Sequence, residues 1–511
     1  MLSESLPTLL AERGVIHPER VALIDPKHGA QRTFGELARD AERIAGTFQA
    51  YGILPGDRVV LLGDHTVEAW QILAGLARAG VVPVLLNWRL TEDDLALIVE
   101  DAGSRLIVST ERWHALGAEV STRTGARHLT AEEIVESETP PTELPLPDPE
   151  RTAVQMYTSG TTGLPKGVCT THRNLMALLD VLTGELPGFA ADSRLLVAAP
   201  MFHIAGYGFG LGSLAVGSPL YLLEQFDAVT TLEVVERHAI THTLLVPAML
   251  QMVVSAPNAG QTDTSSLRGL LYGGSPMSVS LMRSVAQVLG CPMTQAYGMT
   301  ETTGIATLLR FDDHERGLAG ESDSAVGRLA SAGRPILGTS IAIDCPDSTG
   351  AGEILVRSPM VMSGYWRRPE ESAAALGEGG WLGTGDIGRM DADGYLHVVD
   401  RKKDLVITQG ENVFPGEVER VVVEHPAVIE AAVIGVPDAT YGEALCAVVE
   451  LVEGSDLTLP ELQEHCRGRL ARFKVPRQLE VVQVLPRTPS GKVLRRVIRD
   501  RYWADYERQV N

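Results

Sequence analysis

The sequence has few cysteines and too few basic residues to balance its acidic ones. Its five cysteines lie far apart and form no Cys-x-x-Cys pair, so the sequence predicts neither a structural zinc site nor a disulfide framework. The 44 basic residues stand against 65 acidic ones, a net charge of −21, which argues against nucleic acid as the principal partner. Because no disulfide framework is predicted, we expect a reducing, cytoplasmic location.

The sequence also lacks a recognisable export or membrane segment. Residues 1–6 have no basic region followed by an apolar stretch, so we expect no secretory signal and a mature protein that starts at Met1. Residues 195–223 carry no Lys, Arg, Asp or Glu, which by length alone suggests a membrane span. Pro200, Pro219 and five glycines interrupt them. A buried strand, a loop and a small-residue helix are therefore predicted there.

The chain is long enough for several domains. It has 511 residues, 44% of them hydrophobic, which predicts about two to four domains. Amphipathic, helix-like segments alternate with short apolar runs, a rhythm typical of βαβ units and mostly parallel sheets. These runs lie at 59–63, 81–87, 106–109, 195–200, 243–247, 269–274 and 293–298. We expect a ligand crevice at the carboxyl ends of these strands.

Two features suggest boundaries along the chain. The proline-rich segment near 138–150 predicts an extended connection between subdomains. A second break lies near 400–404, and after it the pattern predicts a small α+β domain of about 110 residues, an ordinary domain size. Its predicted elements are strands at 430–436, 444–452 and 479–485 and a helix at 460–471.

The most informative segment is Tyr157-Thr158-Ser159-Gly160-Thr161-Thr162-Gly163-Leu164-Pro165-Lys166-Gly167. Glycines allow backbone N–H groups to approach an oxyanion, hydroxyls add donors, and Lys166 brings a positive charge. This composition predicts a phosphate-binding loop. It differs from the G-x-x-x-x-G-K-[ST] loop of P-loop NTPases because glycine follows Lys166.

The segment resembles the signature loop of the acyl-adenylate-forming (ANL) superfamily. That superfamily contains acyl- and aryl-CoA ligases, adenylation domains of peptide synthetases and beetle luciferases. Further segments similar to the family's motifs follow in the same order. They are Tyr297-Gly298-Met299-Thr300-Glu301, Trp381-Leu382-Gly383-Thr384-Gly385-Asp386, Asp400-Arg401-Lys402-Lys403-Asp404 with Gly410-Glu411-Asn412, and Pro489-Ser490-Gly491-Lys492-Val493.

Taken alone, each of these motifs also has an ordinary structural interpretation. Tyr297 can be a core residue as readily as a surface for base stacking. Asp386 can cap its own turn, or accept two hydrogen bonds from a vicinal diol. The charged run at 400–404 can be a solvated face, and Lys492 a surface lysine. The presence of all the motifs together favours the family's roles.

The resemblance implies a set of site residues. ATP and AMP would contact Thr158, Ser159, Gly160, Thr161, Thr162, Lys166, Gly273, Gly274, Ser275, Tyr297, Gly298, Thr300, Asp386, Arg401 and Lys492. Magnesium would be held by Glu301 and Thr161, and catalytic roles fall on Lys492, Thr161, Glu301 and His203. Coenzyme A would pass Gly410 and Glu411, and the acyl pocket would include His203, Gly206, Val246, Gly273 and Gly298.

The resemblance also implies an α/β fold and its division. We expect a large domain over 1–400, with mostly parallel sheets, flanking helices and a β-barrel-like subdomain. A hinge at 401–403, centred on Lys403, would join it to a small mobile α+β domain over 404–511. A homodimer is left open.

The reaction implied is AMP-forming acyl-CoA synthesis, with ATP, Mg²⁺ and coenzyme A. Residues 201–203 contain no Asp that could pair with a substrate amino group, so an amino acid substrate is disfavoured. We expect a fatty or bulky apolar acid, with an aryl acid as the alternative. Ala296, where many relatives have glycine, would narrow the acyl slot. Residues 467–501 contain eleven basic and two acidic residues. These either attract coenzyme A or an acyl carrier protein, or form a solvated face.

Three other functions are the alternatives: an acyl-AMP ligase that loads a carrier protein, a luciferase-like oxygenase, and a non-catalytic nucleotide-binding regulator.

Overall fold

The computed structural model describes residues 3–139, 146–158, 165–401, 406–408, 411–438, 442–467, 469–487 and 493–504. Contacts within it divide the chain into two compact units. The first comprises Met1–Ile341 and Val356–Leu382, and the second comprises Ala342–Leu355 and Gly383–Asn511. The predicted hinge residue Lys403 lies outside the described residues, so the division at 401–403 stays a prediction.

The strands, in chain order, are β1 (Val21–Ile24), β2 (Gln31–Thr33), β3 (Arg58–Leu62), β4 (Val82–Leu85), β5 (Leu106–Ser109), β6 (Arg127–Thr130), β7 (Thr152–Thr158), β8 (Lys166–Thr171), β9 (Leu195–Val197), β10 (Leu220–Leu222), β11 (His242–Leu244), β12 (Gly269–Gly273), β13 (Met293–Tyr297), β14 (Thr307–Leu309), β15 (Arg334–Pro335), β16 (Ser340–Asp344), β17 (Gly352–Arg357), β18 (Gly364–Tyr365), β19 (Leu382–Met390), β20 (Leu396–Arg401), β21 (Val406–Thr408), β22 (Glu411–Val413), β23 (Val428–Asp438), β24 (Gly442–Leu451) and β25 (Gln478–Val482).

The α-helices are α1 (Leu6–Ile16), α2 (Phe34–Ala50), α3 (Val67–Arg78), α4 (Glu92–Ala102), α5 (His114–Thr124), α6 (Ala131–Val135), α7 (His172–Glu185), α8 (Ile204–Val216), α9 (Ala228–His238), α10 (Pro247–Val254), α11 (Val279–Leu289), α12 (Phe311–Ala319), α13 (Asp323–Arg328), α14 (Pro369–Ala375), α15 (Pro415–Val423), α16 (Leu459–Cys466) and α17 (Arg495–Trp503).

Local sequence sets many of these helix ends. The hydroxyls of Thr33 and Thr171 accept the N–H groups of the third helical residues of α2 and α7, which satisfies donors that the helix itself leaves unpaired. At the other end, α4 and α8 stop at Gly103 and Gly217, whose φ angles of 68° and 74° lie in the left-handed region. Glycine adopts that conformation without steric cost.

Two large sheets form the first unit. The nine-stranded sheet has the order β15-β14-β13-β12-β11-β9-β10-β1-β2, and the seven-stranded sheet has the order β18-β8-β7-β4-β3-β5-β6. Pairing is parallel from β13 to β1 and from β7 to β6, with antiparallel strands at the outer ends. The parallel strands end at one edge of each sheet, which is where open α/β sheets place ligands.

Smaller sheets account for the rest. A four-stranded sheet has the order β16-β17-β19-β20, and most of its residues belong to the second unit. The expected β-barrel-like subdomain within 1–400 stays a prediction. A five-stranded sheet places β24 between β23 and β21, with β25 parallel to β24. Buried side chains lie on both faces of this sheet, among them Val433 on one and Ile434 on the other. The predicted α/β fold class, with a large sheet domain and a small α+β domain, is confirmed.

The uncharged stretch at 195–223 forms β9, a loop, α8 and β10, as predicted. Glycines let α8 pack closely on its surroundings. A Cβ on Gly206 would lie 2.2 Å from the Ala199 carbonyl oxygen, and one on Gly210 would lie 2.5 Å from the Trp70 ring. Close packing thus explains these glycines. Among the described residues, no helix combines the length and apolar character needed to cross a bilayer.

Candidate active site

The predicted phosphate loop joins the two strands of a hairpin. Thr158 ends β7 and Lys166 begins β8, and the two residues are paired across the antiparallel ladder. The ladder therefore holds both ends of the loop together, at the carboxyl end of β7. Ser159, Gly160, Thr161 and Thr162 lie outside the described residues.

Glu301 provides a buried carboxylate beside this hairpin. It belongs to a short 3-10 helix, Thr300–Thr302, that follows β13, and it is 5% exposed. The Thr158 hydroxyl lies 3.5 Å from Glu301 Oε1 and donates to it. The structure therefore brings together the predicted metal ligand and one end of the phosphate loop, although these come from different sheets.

Tyr365 belongs to none of the motifs predicted from the sequence, and it contacts two of these groups. Its hydroxyl donates to Glu301 Oε1 over 3.0 Å, and its ring centre lies 5.1 Å from the Lys166 ammonium. Burial, followed by the charge and hydrogen bond of Glu301, raises the pKa of Tyr365 above its ordinary value. The hydroxyl therefore remains a proton donor at neutral pH.

A second tyrosine, Tyr157 on β7, is hydrogen-bonded to the end of α4. The Tyr157 hydroxyl donates to Asp101 Oδ2 over 2.7 Å, and Arg368 donates to Asp101 Oδ1 over 2.6 Å. Asp101 lies in the last turn of α4. This network supports the base of the hairpin, and sequence spacing alone gave no signal for it because its members lie far apart in the chain.

Strand ends of the nine-stranded sheet bring together the predicted acyl-pocket residues Val246, Gly273 and Gly298. Gly274, predicted to contact ATP, and Ala296, predicted to narrow the acyl slot, lie with them. Gly273 is paired with Ala296, and a Cβ on Gly273 would lie 2.4 Å from the Ala296 carbonyl oxygen. A Cβ on Gly274 would lie 3.8 Å from Val246 Cγ1, and one on Gly298 would lie 2.4 Å from the oxygen of Gly304. The glycines at 273 and 298 are thus required by backbone approach.

Three predicted nucleotide-binding residues flank this group. Tyr297 ends β13, where its carbonyl oxygen accepts the Ala306 N–H over 2.7 Å. Thr300 begins the 3-10 helix that carries Glu301. Ser275 follows Gly274 directly after β12 and is half-buried. All three therefore lie at the carboxyl-end edge of the sheet, where the sequence predicted the crevice.

His203 lies immediately before α8 and faces aromatic neighbours. Its ring centre is 4.7 Å from that of Phe202, in an edge-on arrangement, and its Nε2 atom is buried without a hydrogen-bond partner among the described residues. Burial, assisted by the charge of Arg89, lowers the pKa of His203 to about 4. The imidazole is therefore neutral at physiological pH, which suits contact with an apolar group.

In the second unit, the two residues predicted to contact the ribose lie on neighbouring strands. Asp386 on β19 is paired with Arg401 on β20, so two residues that are fifteen positions apart in sequence lie side by side. The turn before Asp386 includes Gly385 at φ 70°, and the Thr384 hydroxyl donates to the Ile354 carbonyl oxygen over 2.8 Å. Glu411 begins β22. Gly410 and Lys492 lie outside the described residues.

A family model for AMP-binding enzymes matches residues 10–366, and a model for the C-terminal domain of AMP-binding enzymes matches residues 417–492. The chain belongs to the AMP-binding enzyme family. The expected membership of the acyl-adenylate-forming superfamily is thereby confirmed.

Curated members of this family match the chain over nearly its whole length. A fatty acid–[acyl-carrier-protein] ligase, ScoC from Streptomyces coeruleorubidus, is 36% identical over 506 residues, which cover 94% of each chain. A 2-succinylbenzoate–CoA ligase from Geobacillus kaustophilus is 37% identical over 97% of this chain and 98% of its own.

A solved structure of the family also matches. The o-succinylbenzoate CoA synthetase MenE from Bacillus subtilis, in complex with an acyl-adenylate intermediate, superimposes with a TM-score of 0.85 at 32% identity, over 97% of this chain and 98% of its own. The expected class, an AMP-forming acid–thiol ligase, is confirmed by these members of the AMP-binding family.

The described residues of this family member fit the magnesium ion that the reaction requires. Glu301 provides a buried carboxylate, the kind of oxygen ligand that a hard cation prefers, and the Thr158 hydroxyl donates to it over 3.5 Å. Glu301 would hold the ion, together with the predicted ligand Thr161. When bound, the ion would screen negative charge on the phosphate oxygens.

One other set of described side chains could ligate a metal ion. Ligand atoms of Asp25, His28 and Glu224 lie within 4.8 Å of one another. His28 is exposed and already pairs with Asp25 over 2.8 Å. An ordinary surface ion pair accounts for this arrangement.

Proposed function

We propose that the chain is an acyl-CoA synthetase that activates a fatty or bulky apolar carboxylic acid. Full-length similarity to acid–thiol ligases and the convergence of Glu301, Thr158 and Lys166 at the phosphate loop support this function. A substrate carboxylate oxygen attacks the α-phosphorus of ATP, and the bond to pyrophosphate breaks. A thiolate then attacks the acyl carbon of the acyl-adenylate, and AMP leaves.

The charges in the site serve the first step. The Lys166 ammonium and the donors of the phosphate loop stabilise phosphate oxygens, and preorganised charge of this kind is the main source of phosphoryl-transfer catalysis. Lys492 would enter the site for adenylation only. Asp386 and Arg401 would bind the ribose, and rotation about Lys403 would bring Gly410 and Glu411 to the pantetheine arm for the second step.

The acid is proposed to be uncharged beyond its carboxylate. Neutral His203 and its neighbour Phe202 offer an apolar lining. Apolar lining residues select a hydrophobic acyl group by burial and shape. The relatives include ligases named for fatty and for aryl acids, so an aryl acid is the second candidate.

The thiol acceptor is proposed to be coenzyme A, with an acyl carrier protein as the alternative that the ScoC relative favours. The positive charge of segment 467–501 gives only limited support to electrostatic attraction of coenzyme A or a carrier protein. Seven of its side chains form ion pairs with carboxylates of the same unit: Arg467, Arg469, Lys474, Arg487, Arg495, Arg496 and Arg499. Much of this positive charge is therefore compensated.

The test uses purified enzyme with ATP, Mg²⁺ and a panel of fatty, aryl and amino acids. AMP release is followed without a thiol, with coenzyme A and with a phosphopantetheinylated carrier protein. AMP release that requires an apolar acid and coenzyme A would support the proposal. Turnover with the carrier protein alone would favour the alternative acceptor, and turnover with amino acids would contradict the acid class.

Two finer expectations remain proposals. A cytoplasmic location would be tested by fractionation of the producing cell, and a homodimer by light scattering of the purified chain. A mass equal to one chain over a range of concentrations would contradict the dimer.

A further inference from the structure

The segment around β18 joins two parts of the site that come from different sheets. The Trp366 N–H donates to the Gly167 carbonyl oxygen over 2.7 Å, next to Lys166 on β8. The Met362 N–H donates to the Glu301 carbonyl oxygen over 2.9 Å. One short stretch of backbone thus fixes the strand that bears the phosphate-loop lysine and the turn that bears the buried carboxylate.

Tyr365 lies within this segment and contacts both charged side chains. We propose that Tyr365 is a positioning residue for adenylation, which holds the Glu301 carboxylate through its hydroxyl and the Lys166 ammonium through its ring. The inference rests on the proposed function, because it assigns these two groups to the metal ion and the phosphates of ATP.

The two contacts act on different groups. The hydroxyl donates to Glu301 Oε1 over 3.0 Å, and a hydrogen bond to a charged acceptor restricts the orientation of the carboxylate. The face of an aromatic ring attracts an ammonium group, and the Lys166 ammonium lies 5.1 Å from the ring centre. Tyr365 thereby holds a negative and a positive group at separate points of one rigid side chain.

The edge position of β18 makes Tyr365 suitable for this role. β18 pairs with β8 in antiparallel register, with Tyr365 opposite Val168, and the backbone N–H of Tyr365 donates to the Ser372 hydroxyl oxygen over 2.8 Å. The backbone of Tyr365 is therefore fixed on both sides. Its side chain is held in place before any substrate binds, which is how a positioning residue lowers the cost of ordering the site.

Two substitutions separate the contacts. Tyr365→Phe removes the hydroxyl and keeps the ring, and Tyr365→Leu removes both. Tyr272→Phe is the matched control, because it also removes a buried tyrosine hydroxyl, one that lies 2.8 Å from His314 Nε2 and away from Glu301 and Lys166. The measurements are Mn²⁺ binding in the presence of ATP by electron paramagnetic resonance, ATP–pyrophosphate exchange, and the melting temperature.

For Tyr365→Phe we expect Mn²⁺ to bind several-fold more weakly and kcat of exchange to fall about tenfold, the size of effect typical of a lost hydrogen bond to a charged group. The KM for ATP should change less than twofold in that variant, as a rough bound for a retained ring contact. Tyr365→Leu should raise the KM for ATP as well. Tyr272→Phe should lower the melting temperature alone.

Unchanged Mn²⁺ affinity in Tyr365→Phe would overturn the inference. So would a Tyr272→Phe variant that loses as much Mn²⁺ affinity and exchange activity as Tyr365→Phe when both variants lose the same melting temperature. Failure of the proposed function gives a different result. In that case the wild-type enzyme would show no pyrophosphate exchange with any acid, while the comparison of Mn²⁺ and ATP binding between variants would still decide the role of Tyr365.

Discussion

Arg495 Nη1 lies 3.5 Å from Oδ1 of Asp400, a carboxylate whose side chain is 2% exposed. The other oxygen of Asp400 accepts the Gly416 N–H over 2.6 Å, and Arg495 Nε also donates to Glu419 over 2.7 Å. These contacts join the end of β20, the start of α15 and the start of α17. The network thus fixes the end of β20, which reaches the predicted hinge, and the start of α17, which follows Lys492 in the chain.

Replacing Arg495 with Met should destabilise the second unit. The substitution leaves the buried Asp400 carboxylate without one of its cationic contacts, and breaking such a pair costs about 2–4 kcal/mol of unfolding free energy. Hydrogen exchange resolved to α15 and α17 would detect the loss as faster exchange of both helices.

Arg496→Met is the matched control for this prediction. Arg496 is the next residue of α17, its side chain is 72% exposed, and the side chain of its partner Asp500 is 50% exposed. Surface pairs of this kind contribute about 0–1 kcal/mol. Equal exchange rates in the two variants would contradict the structural role of the Asp400 contact.

Gly206→Ala should destabilise the first unit although alanine favours helices. The added Cβ would lie 2.2 Å and 2.4 Å from the carbonyl oxygens of Ala199 and Pro200, so the backbone must move, at a cost of about 1–3 kcal/mol. Gly184→Ala in α7 is the control, because nothing lies within 4 Å of its Cβ position. That variant should be stabilised by about 0.5 kcal/mol. Thermal unfolding of both variants tests the difference, and equal melting temperatures would show that α8 accommodates the methyl group.

The sequence predicted the sheets better than the helices. Apolar runs at 106–109 and 269–274 correspond to β5 and β12 within a residue, because buried parallel strands are continuous in hydrophobic residues and end where polar residues begin. The helix predicted at 460–471 ends at Cys466. No prediction was made for α15, although Pro415 at its first position is a common helix start.

The site was predicted as far as its motifs extend along the chain. Lys166 and Glu301 were identified because each lies in a local pattern whose composition indicates phosphate or metal chemistry. Tyr365 and Asp101 were missed, since their roles arise from contacts between segments that are distant in sequence. A single tyrosine between ordinary residues gives no periodic or compositional signal. Pairing across β8 and β18 is what places Tyr365 beside both charges.

Asp64→Asn should make the first unit more stable relative to the wild type as the pH rises. Asp64 is 5% exposed and accepts the Trp113 indole N–H over 2.9 Å. Burial raises its pKa from 3.8 to about 6. The folded state therefore holds the proton more tightly than the unfolded chain, and stability is lost as the pH rises from about 4 to about 6. The Asn variant keeps an acceptor for Trp113 and lacks this titration.

Urea denaturation of the wild type and the Asp64→Asn variant at about pH 4 and about pH 7.5 would measure this effect, because the loss begins near the first pH and is complete by the second. Asp192→Asn is a control of opposite sign. The hydrogen bond and charge of Arg268 lower the pKa of Asp192, so that pair contributes stability above the unfolded pKa and loses it as the pH falls. An Asp64→Asn advantage that is equal at both pH values would contradict the assignment.

Lys492→Ala should separate the two half-reactions. If Lys492 offsets charge at the α-phosphate only during adenylation, its removal should lower the rate of ATP–pyrophosphate exchange by a factor of about a hundred or more, while thioester formation from supplied acyl-adenylate keeps its wild-type rate within about twofold. Lys27→Ala, at an exposed lysine of the first unit, should leave both rates unchanged. A Lys492→Ala variant that loses both half-reactions equally would mean that the lysine serves binding or folding in general. A variant that loses neither would assign the adenylation cation to another residue, and Lys166 would be tested next.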